Sequence, residues 1–446
     1  VSPSTALLTD QYELTMVQAA LRSGAAHRRC VFEVFGRRLP GGRRYGVVAG
    51  TGRLLEGLER FRFDDDALAF LRERGIVDEP TLDYLAGYRF SGSISGYAEG
   101  EMWFPHSPVL RVEATFAEAC LLETYILSVL NHDSAIASAG SRMVQAAGGT
   151  VSDGGRPCVE MGSRRTQEAA ATASARAAAV VGFAATSNLQ AGHDYGIPTL
   201  GTAAHAFTLL HDSEEEAFAA QVEAFGPETT LLVDTYDVER AVRTAVEVAG
   251  PRLGAVRLDS GDLVEQAFMV RDLLDSLGNT ATRIIVSSDL DEHAIARLAA
   301  APVDSYGVGT RLVTGAGAPT AGMVYKLVQH EDSSGGQIPV EKASEGKSSR
   351  GGVKVPMRTY GGSGAAEAEV IGIGAAPETA AEARRLQVPL VVEGELQPGF
   401  TGAEGVRRAA SRHRESFAEL PRAAHRLSKG DPVIPTIHQS PLPLLS

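Results

Sequence analysis

Between residues 253 and 262 the chain reads "LGAVRLDSGD", an apolar run that stops at one guanidinium and two carboxylates. A short apolar run bounded by glycine and by polar turn residues suits a strand buried on both faces. The following "LVEQAFMVRDLLDSLG" (263–278) predicts a helix. The same alternation extends in both directions. Upstream lie "RPCVEMGSRR" (156–165), "GFAATSN" (182–188), "IPTLGT" (197–202) and "TTLLVDTYD" (229–237), each followed by a helical stretch. Downstream lie "TRIIVSSDLD" (282–291) with its helix and then "SYGVGT" (305–310). Seven such runs predict consecutive parallel βα units, and that number favours closure into an irregular α/β barrel over an open doubly wound sheet.

The flanks have a different character. "ALLTDQYELTMVQAALRSG" predicts a helix entered through a Thr/Asp cap, and "RCVFEVFGRRLPGG" a strand that runs into a basic turn. Residues 121–146 predict a helical connector, and "EDSSGGQIPVEKASEGKSSRGG" (331–352) predicts loops ahead of a short β-rich tail. The expected organisation is an N-terminal part (1–120) of a smaller α+β domain, a barrel with its connector (121–330), and a loop-rich part (331–446) returning to the smaller domain.

Composition sets bounds on function. Asp and Glu outnumber Lys and Arg by 55 to 42, a net charge of −13, which argues against general binding of nucleic acid or anionic lipid. Anionic ligands would then be held by local groups. Cys30, Cys120 and Cys158 are odd in number and lack metal-ligand spacing, so small core residues in a reducing compartment are expected. The N-terminal stretch lacks the basic-then-apolar pattern of a signal peptide, and the alanine-rich segment 169–185 carries Arg176 and is too short to cross a bilayer. A cytoplasmic protein is expected.

The unusual polar residues fall where the β runs end: Arg164, Ser187, Thr202 with His205, Asp234, Arg257 with Asp259 and Asp262, Asp289, and Gly309 with Thr310. In parallel α/β folds those ends share one rim, so distant residues converge on one mouth. Asp259 and Asp262 suit Mg²⁺ or sugar hydroxyls while Arg257 meets an anion; the alternative is an Arg–Asp pair plus a helix cap. Asp289 offers another carboxylate or a cap. Gly307, Gly309 and Thr310 suit a phosphate or simply a tight turn. Arg37 and Arg38 suit a pyrophosphate or a solvated face. His205, with Asp234 ending the next run, suits a nucleophile whose other ring nitrogen is held by a carboxylate. Lys326 and Lys347 are weaker candidates for nucleotide or pyrophosphate contact.

In this order, "LLTDQYELTM", "FEVFGRRLP", "EMGSRRTQEA", "ATSNLQAG", "GTAAHAF", "LLVDTYD", "VRLDSGDL", "SSDLDE", "YGVGTRL" and "MVYKLV" make the chain resemble the nicotinate phosphoribosyltransferases over most of residues 6–360. These are type II phosphoribosyltransferases, related to the nicotinamide enzymes. The resemblance implies that nicotinate and phosphoribosyl pyrophosphate, with Mg²⁺, give nicotinate mononucleotide and pyrophosphate. It also implies ATP hydrolysis coupled through a phosphohistidine, as a step of NAD biosynthesis. His205 matches the phosphorylated residue and Asp234 the carboxylate that orients it. Tyr12, Arg164, Ser187, Thr202 and Arg257 match positions that hold the pyridine or its carboxylate. Asp259, Asp289, Gly309 and Thr310 match those for ribose, metal and phosphate. Met161 stands where relatives often carry a phenylalanine against the pyridine, and Ser187 where nicotinamide-specific relatives carry an aspartate, so the acid is the expected substrate. The family also places Tyr12 and the Arg37 region across a dimer interface, implying a homodimer with shared sites. Competing readings are a nicotinamide- or quinolinate-using relative, a silent nucleotide-binding barrel, and an aldolase-like barrel, which would require a strand lysine that none of the seven runs contains.

Overall fold

A computed structural model describes residues 3–341, 350–379 and 382–439. The chain divides into two compact units, one from residues 1–138 and 320–446 and the other from 139–319.

The 139–319 unit is built on a curled parallel sheet of six strands. Across the sheet they run Ala185–Thr186, Cys158–Glu160, Ser305–Val308, Arg283–Ser288, Ala255–Leu258 and Thr230–Leu232. This is the cyclic order of a barrel, since the last strand in sequence pairs with the first: Tyr306 lies opposite Cys158, and Val308 opposite Glu160. The barrel is not closed. The run at 197–202 forms only an isolated parallel bridge, Thr199 to Thr186. Pro198 lacks an N–H to donate to a ladder, and the contact reduces to Thr186 N–H on the Pro198 carbonyl and Leu200 N–H on the Thr186 carbonyl. The sheet is therefore a half-barrel: the irregular α/β barrel expected from the sequence is present, with six of the seven runs as strands and the seventh as one bridge.

The helices start where the sequence places capping side chains. Asn188, Ser213, Asp237, Asp262 and Asp291 each accept a hydrogen bond from the first turn of the helix that follows. Asp262 thus caps Leu263–Ser276, the bland alternative weighed for it, while Asp291 rather than Asp289 caps Glu292–Leu298.

The other unit holds a seven-stranded sheet in which Arg29–Gly36 lies antiparallel between Met323–Glu331 and Leu110–Thr115. Phe32 stacks on Tyr325 with ring centroids 4.7 Å apart, and Leu54, Phe61, Tyr88 and Tyr97 fill the same core. The Gln11–Ser23 helix follows Asp10, whose side chain makes no capping bond, contrary to expectation. Its entry is held instead by the Thr9 hydroxyl, which donates to Glu13. The tail holds more than strands: Gly402–Ala418 is a helix that buries Val406, Ala409, His413, Ser416 and Phe417 along one face. Among the described residues the three cysteines are free and buried, and no helix is long and apolar enough to cross a membrane.

A buried ionic network ties the four-stranded sheet of this unit to that helix. Arg358, fully buried, reaches Glu101 at 2.7 Å, Glu369 at 2.7 Å and Glu419 at 3.0 Å. Arg384 adds contacts of 2.9 Å to Glu101 and 2.7 Å to Glu419. Burial alone would raise the Glu101 carboxyl, but the Arg358 and Arg384 guanidiniums outweigh it and hold the group at about 2. Removing one member of such a network strands the opposite charge. Arg358→Met is expected to destabilise this unit by about 3–5 kcal/mol. Trp103, the single tryptophan and a buried residue of the same unit, gives the fluorescence signal that checks it in a urea titration.

Candidate active site

The C-terminal ends of the parallel strands carry a polar cleft of about 220 Å³. Its cations are Arg164, Arg165 and Arg257, its carboxylates Asp259 and Asp289; Ser287, Ser288 and Thr310 add hydroxyls, and Met161, Gly307 and Gly309 complete the wall. Eight residues singled out in the sequence, from Met161 to Thr310, are thus brought together.

Arg257 organises this mouth. It projects from the Ala255–Leu258 strand, and its three nitrogens reach three segments: Nε to Ser287 Oγ at 2.8 Å, Nη1 to Thr202 Oγ1 at 3.1 Å, and Nη2 to Asp259 Oδ1 at 3.0 Å. Ser287 also donates to Asp259 Oδ1, closing the triangle. The planar guanidinium suits this, because its donors diverge at fixed angles. Thr202 therefore belongs to the site although it lies outside the cleft wall.

Asp234, almost fully buried, accepts at Oδ2 from the Asp259 N–H at 3.1 Å and from Ser260 Oγ at 2.6 Å. Its Oδ1 has no hydrogen-bond partner and lies 4.0 Å from His205 Nε2. The imidazole–carboxylate hydrogen bond expected from the sequence is thus not made. His205 Nδ1 pairs instead with Thr235 Oγ1 at 3.1 Å. Thr235 follows Asp234 directly, so one segment addresses both ring nitrogens.

Two glycine positions show why the wall has its shape. A Cβ at Gly307 would fall 2.8 Å from Met161 Sδ and 2.9 Å from Ser287 Cβ. One at Gly162 would fall 2.2 Å from Val313. Met161 can lie across the neighbouring strand only because residue 307 has no side chain.

Glu160, which the sequence reading passed over, is fully buried at the base of this turn. It accepts from the Gly162 N–H and, at 2.5 Å, from Thr186 Oγ1. Burial raises its pKa against those hydrogen bonds. A carboxylate at the end of an apolar strand was the available signal. Thr235, Arg165 and Ser288 were also missed, each adjoining a residue that was noticed.

The remaining candidates are placed elsewhere. Ser187 follows the Ala185–Thr186 strand, its N–H on the Glu160 carbonyl at 2.8 Å and its side chain exposed. Asp262 Oδ1 is occupied by the helix cap and lines an adjoining cleft together with Asp289. Tyr12, Arg37, Arg38 and Lys326 belong to the other unit. Tyr12 lies exposed on the Gln11–Ser23 helix, and Arg37 sits 5.9 Å from the Phe35 ring centroid. Lys347 lies outside the described residues.

A parallel α/β half-barrel whose strand ends present arginines, carboxylates and glycine turns around one polar cleft fits the type II phosphoribosyltransferase class that the sequence resembles. Residues 7–131 match the model of the nicotinate phosphoribosyltransferase N-terminal domain. The chain is 54% identical over 439 residues to the nicotinate phosphoribosyltransferase pncB1 of Mycobacterium tuberculosis, covering 96% of this chain and 94% of that one. It is 40% identical to the Bacillus subtilis nicotinate phosphoribosyltransferase over 74% of this chain and 68% of that one. The fold matches human nicotinic acid phosphoribosyltransferase with a TM-score of 0.80 at 24% identity, covering 97% of both chains. The chain belongs to the nicotinate phosphoribosyltransferase family.

The Arg257 triangle yields a prediction. Lysine keeps the charge but cannot serve three divergent acceptors. Arg257→Lys is expected to loosen the 200–204 and 257–260 segments without unfolding the sheet, and backbone hydrogen exchange should accelerate there by about tenfold or more. Unchanged exchange in both segments would contradict the organising role of Arg257.

Proposed function

We propose that the chain is a nicotinate phosphoribosyltransferase, forming nicotinate mononucleotide and pyrophosphate from nicotinate and phosphoribosyl pyrophosphate, in NAD biosynthesis. The observation that carries the reading is Arg257, tied to Thr202 and Asp259 at the same mouth as Arg164 and Arg165, which are unpaired among the described residues, in a chain so similar to the M. tuberculosis enzyme.

In the reaction the pyridine nitrogen attacks ribose C1 while the C1–O bond to pyrophosphate breaks. Positive charge builds on the sugar and negative charge on the leaving group, so fixed guanidiniums near the departing phosphates lower the barrier. The nitrogen lone pair is already nucleophilic and needs positioning rather than deprotonation. Met161 offers a thioether surface for the ring, and Arg257 with Thr202 offers donors for the nicotinate carboxylate. Asp259 faces the ribose, and the backbone around Gly309 and Thr310 suits its 5′-phosphate.

Mg²⁺ fits this donor set in one way. Among the described residues no three acidic or histidine side chains form a ready cage, which suits an ion that takes one or two carboxylates together with substrate phosphates. Asp289, whose carboxylate makes no hydrogen bond among the described residues, and Asp259 would hold it. Asp262 is committed to its helix. When bound, the ion neutralises charge on the leaving pyrophosphate.

ATP is proposed as the co-substrate. His205 attacks the γ-phosphorus, the bond to the β,γ-bridging oxygen breaks, and ADP leaves with that oxygen. Nδ1 is engaged by Thr235, so Nε2 is the nitrogen that attacks, and the unpaired Asp234 oxygen 4.0 Å away serves its orientation. Exposure of the His205 side chain to 40% allows a nucleotide to reach it.

A homodimer with shared sites is also proposed, with Tyr12 and the Arg37 region serving the partner's half-barrel. Arg37→Ala and Arg257→Ala, each inactive alone, should then regain about a quarter of wild-type activity on subunit exchange, because half of the dimers are mixed and each carries one intact site. No recovery despite exchange would refute sharing.

Incubation of the protein with nicotinate, phosphoribosyl pyrophosphate, Mg²⁺ and γ-labelled ATP tests the reaction. Nicotinate mononucleotide and ADP should form together, and the protein should carry acid-labile label. His205→Ala should lose label and ATP stimulation while keeping slow uncoupled transfer. Turnover of nicotinamide above that of nicotinate would overturn the substrate choice, and ATP dependence surviving in His205→Ala would overturn the phosphohistidine.

A further inference from the structure

The unit formed by residues 1–138 and 320–446 contains a second polar cavity, of about 320 Å³. Phe35, Glu33 and Lys354 form its buried floor, and His106, Arg350 and His438 stand around it. The floor charges cancel: Lys354 Nζ lies 2.7 Å from Glu33 Oε2, and the Lys354 N–H donates to Glu33 Oε1 at 3.0 Å. Arg111, from the adjacent strand, also acts on Glu33 and is paired with Glu113 at 2.7 Å. Among the described residues the polar groups left facing the space, beside Phe35 and Pro108, are His106, Arg350, Thr436 and His438, all donors or potential cations. Arg350 makes no hydrogen bond among the described residues.

Two orphaned atoms sharpen the picture. Thr436 Oγ1, in the cavity wall, is buried without a hydrogen-bond partner, and so is Nε of Arg37, whose guanidinium lies close enough to act on His106. Buried donors without acceptors are costly; Thr436 Oγ1 lies in the cavity wall itself, while Arg37 acts on it only through the charge it sets beside His106. The His106 and His438 rings meet edge to face at 6.4 Å. His106 holds its position with φ 68°, a left-handed conformation that costs a non-glycine residue energy.

From this geometry we infer that the cavity is a binding site for a tetrahedral oxyanion, phosphate in the cell, held by Arg350, His106, His438 and the Thr436 hydroxyl. The inference is separate from the half-barrel mouth, whose residues belong to the other unit; of the groups named here only Arg37 is also invoked in the reaction proposed above, as a contribution to a partner's site.

The histidines make binding proton-linked. Burial first, then Arg350, His106 and Lys354, push His438 down to about 4; burial, then Arg37 and Arg350, lower His106. An anion offsets those cations and raises both pKa values toward the ordinary range, so binding takes up protons and strengthens as pH falls.

The test uses sulfate, whose charge is constant over the relevant range, titrated calorimetrically into the full-length protein at about pH 6 and pH 8. A site about tenfold tighter at the lower pH is expected. It should persist in Arg257→Ala, which removes the main cation of the half-barrel mouth, and weaken about tenfold in both His438→Gln and Arg350→Ala. Both substitutions lie at incompletely buried positions, so folding is retained. Competition by inorganic phosphate would identify a free-anion site, and competition by ADP alone a site for the phosphate end of a nucleotide; competition by neither overturns the inference. It is also overturned if sulfate binding vanishes with Arg257→Ala, is unaffected by His438→Gln and Arg350→Ala, or does not vary with pH.

Discussion

The half-barrel mouth depends on one guanidinium doing three things at once. Arg257 spans to Thr202, Ser287 and Asp259, segments that arrive from separate βα units, and the Asp259 backbone is in turn held by Asp234. A charge at this depth is tolerated only because each nitrogen finds an oxygen. The sum at the cleft still favours anions: three arginines face two carboxylates, and Arg164 and Arg165 make no side-chain hydrogen bond among the described residues. A protein with net charge −13 can therefore still present a locally cationic cleft, since at contact distance local charge outweighs a screened global excess.

The other unit resolves its charges differently around Arg358. Three carboxylates surround that guanidinium and Arg384 shares two of them, so little remains to attract a ligand. Such saturation locks sheet and helix together, which is what a scaffold requires. The cavity beside His438 breaks the pattern within the same unit, because its unpaired groups are donors.

How much of this was legible follows from which interactions are local. The βα rhythm was, because a strand buried on both faces must be apolar over its length and its helix needs a cap within a few residues; Asp262 is the cap weighed for it, while the cap considered at Asp289 falls two residues later, at Asp291. Convergence of Arg257, Asp259, Asp289 and Gly309 followed from topology alone. The number of paired strands did not, because the run at 197–202, which contains Pro198, meets its neighbour through one bridge only. Pairing of Arg29–Gly36 with Met323–Glu331 joins segments about 300 residues apart, which no periodicity can signal. The Gly402–Ala418 helix escaped notice since its buried face uses alanine, histidine and serine beside only two large apolar residues. Glu160 was invisible for the opposite reason: its partners are a backbone N–H two residues ahead and a threonine on the next strand, and neither advertises a buried carboxylate.

The geometry around His205 carries the argument one step further. Asp234 commits Oδ2 to the Asp259–Ser260 loop and leaves Oδ1 buried and unpaired 4.0 Å from the ring. An unpaired buried carboxylate oxygen is costly, and an approach of about 1 Å by the ring would convert that separation into a charge-assisted hydrogen bond. Thr235 holds the other nitrogen and is the next residue along, so ring, carboxylate and rim loop are mechanically one assembly. A change in charge at His205 is thus felt first by Asp234 and then, through one shared carboxylate, by the Asp259 backbone beside Arg257. Coupling between the histidine and the cleft needs no large rearrangement, because a single buried side chain is already bonded to the rim loop and lies 4.0 Å from the ring.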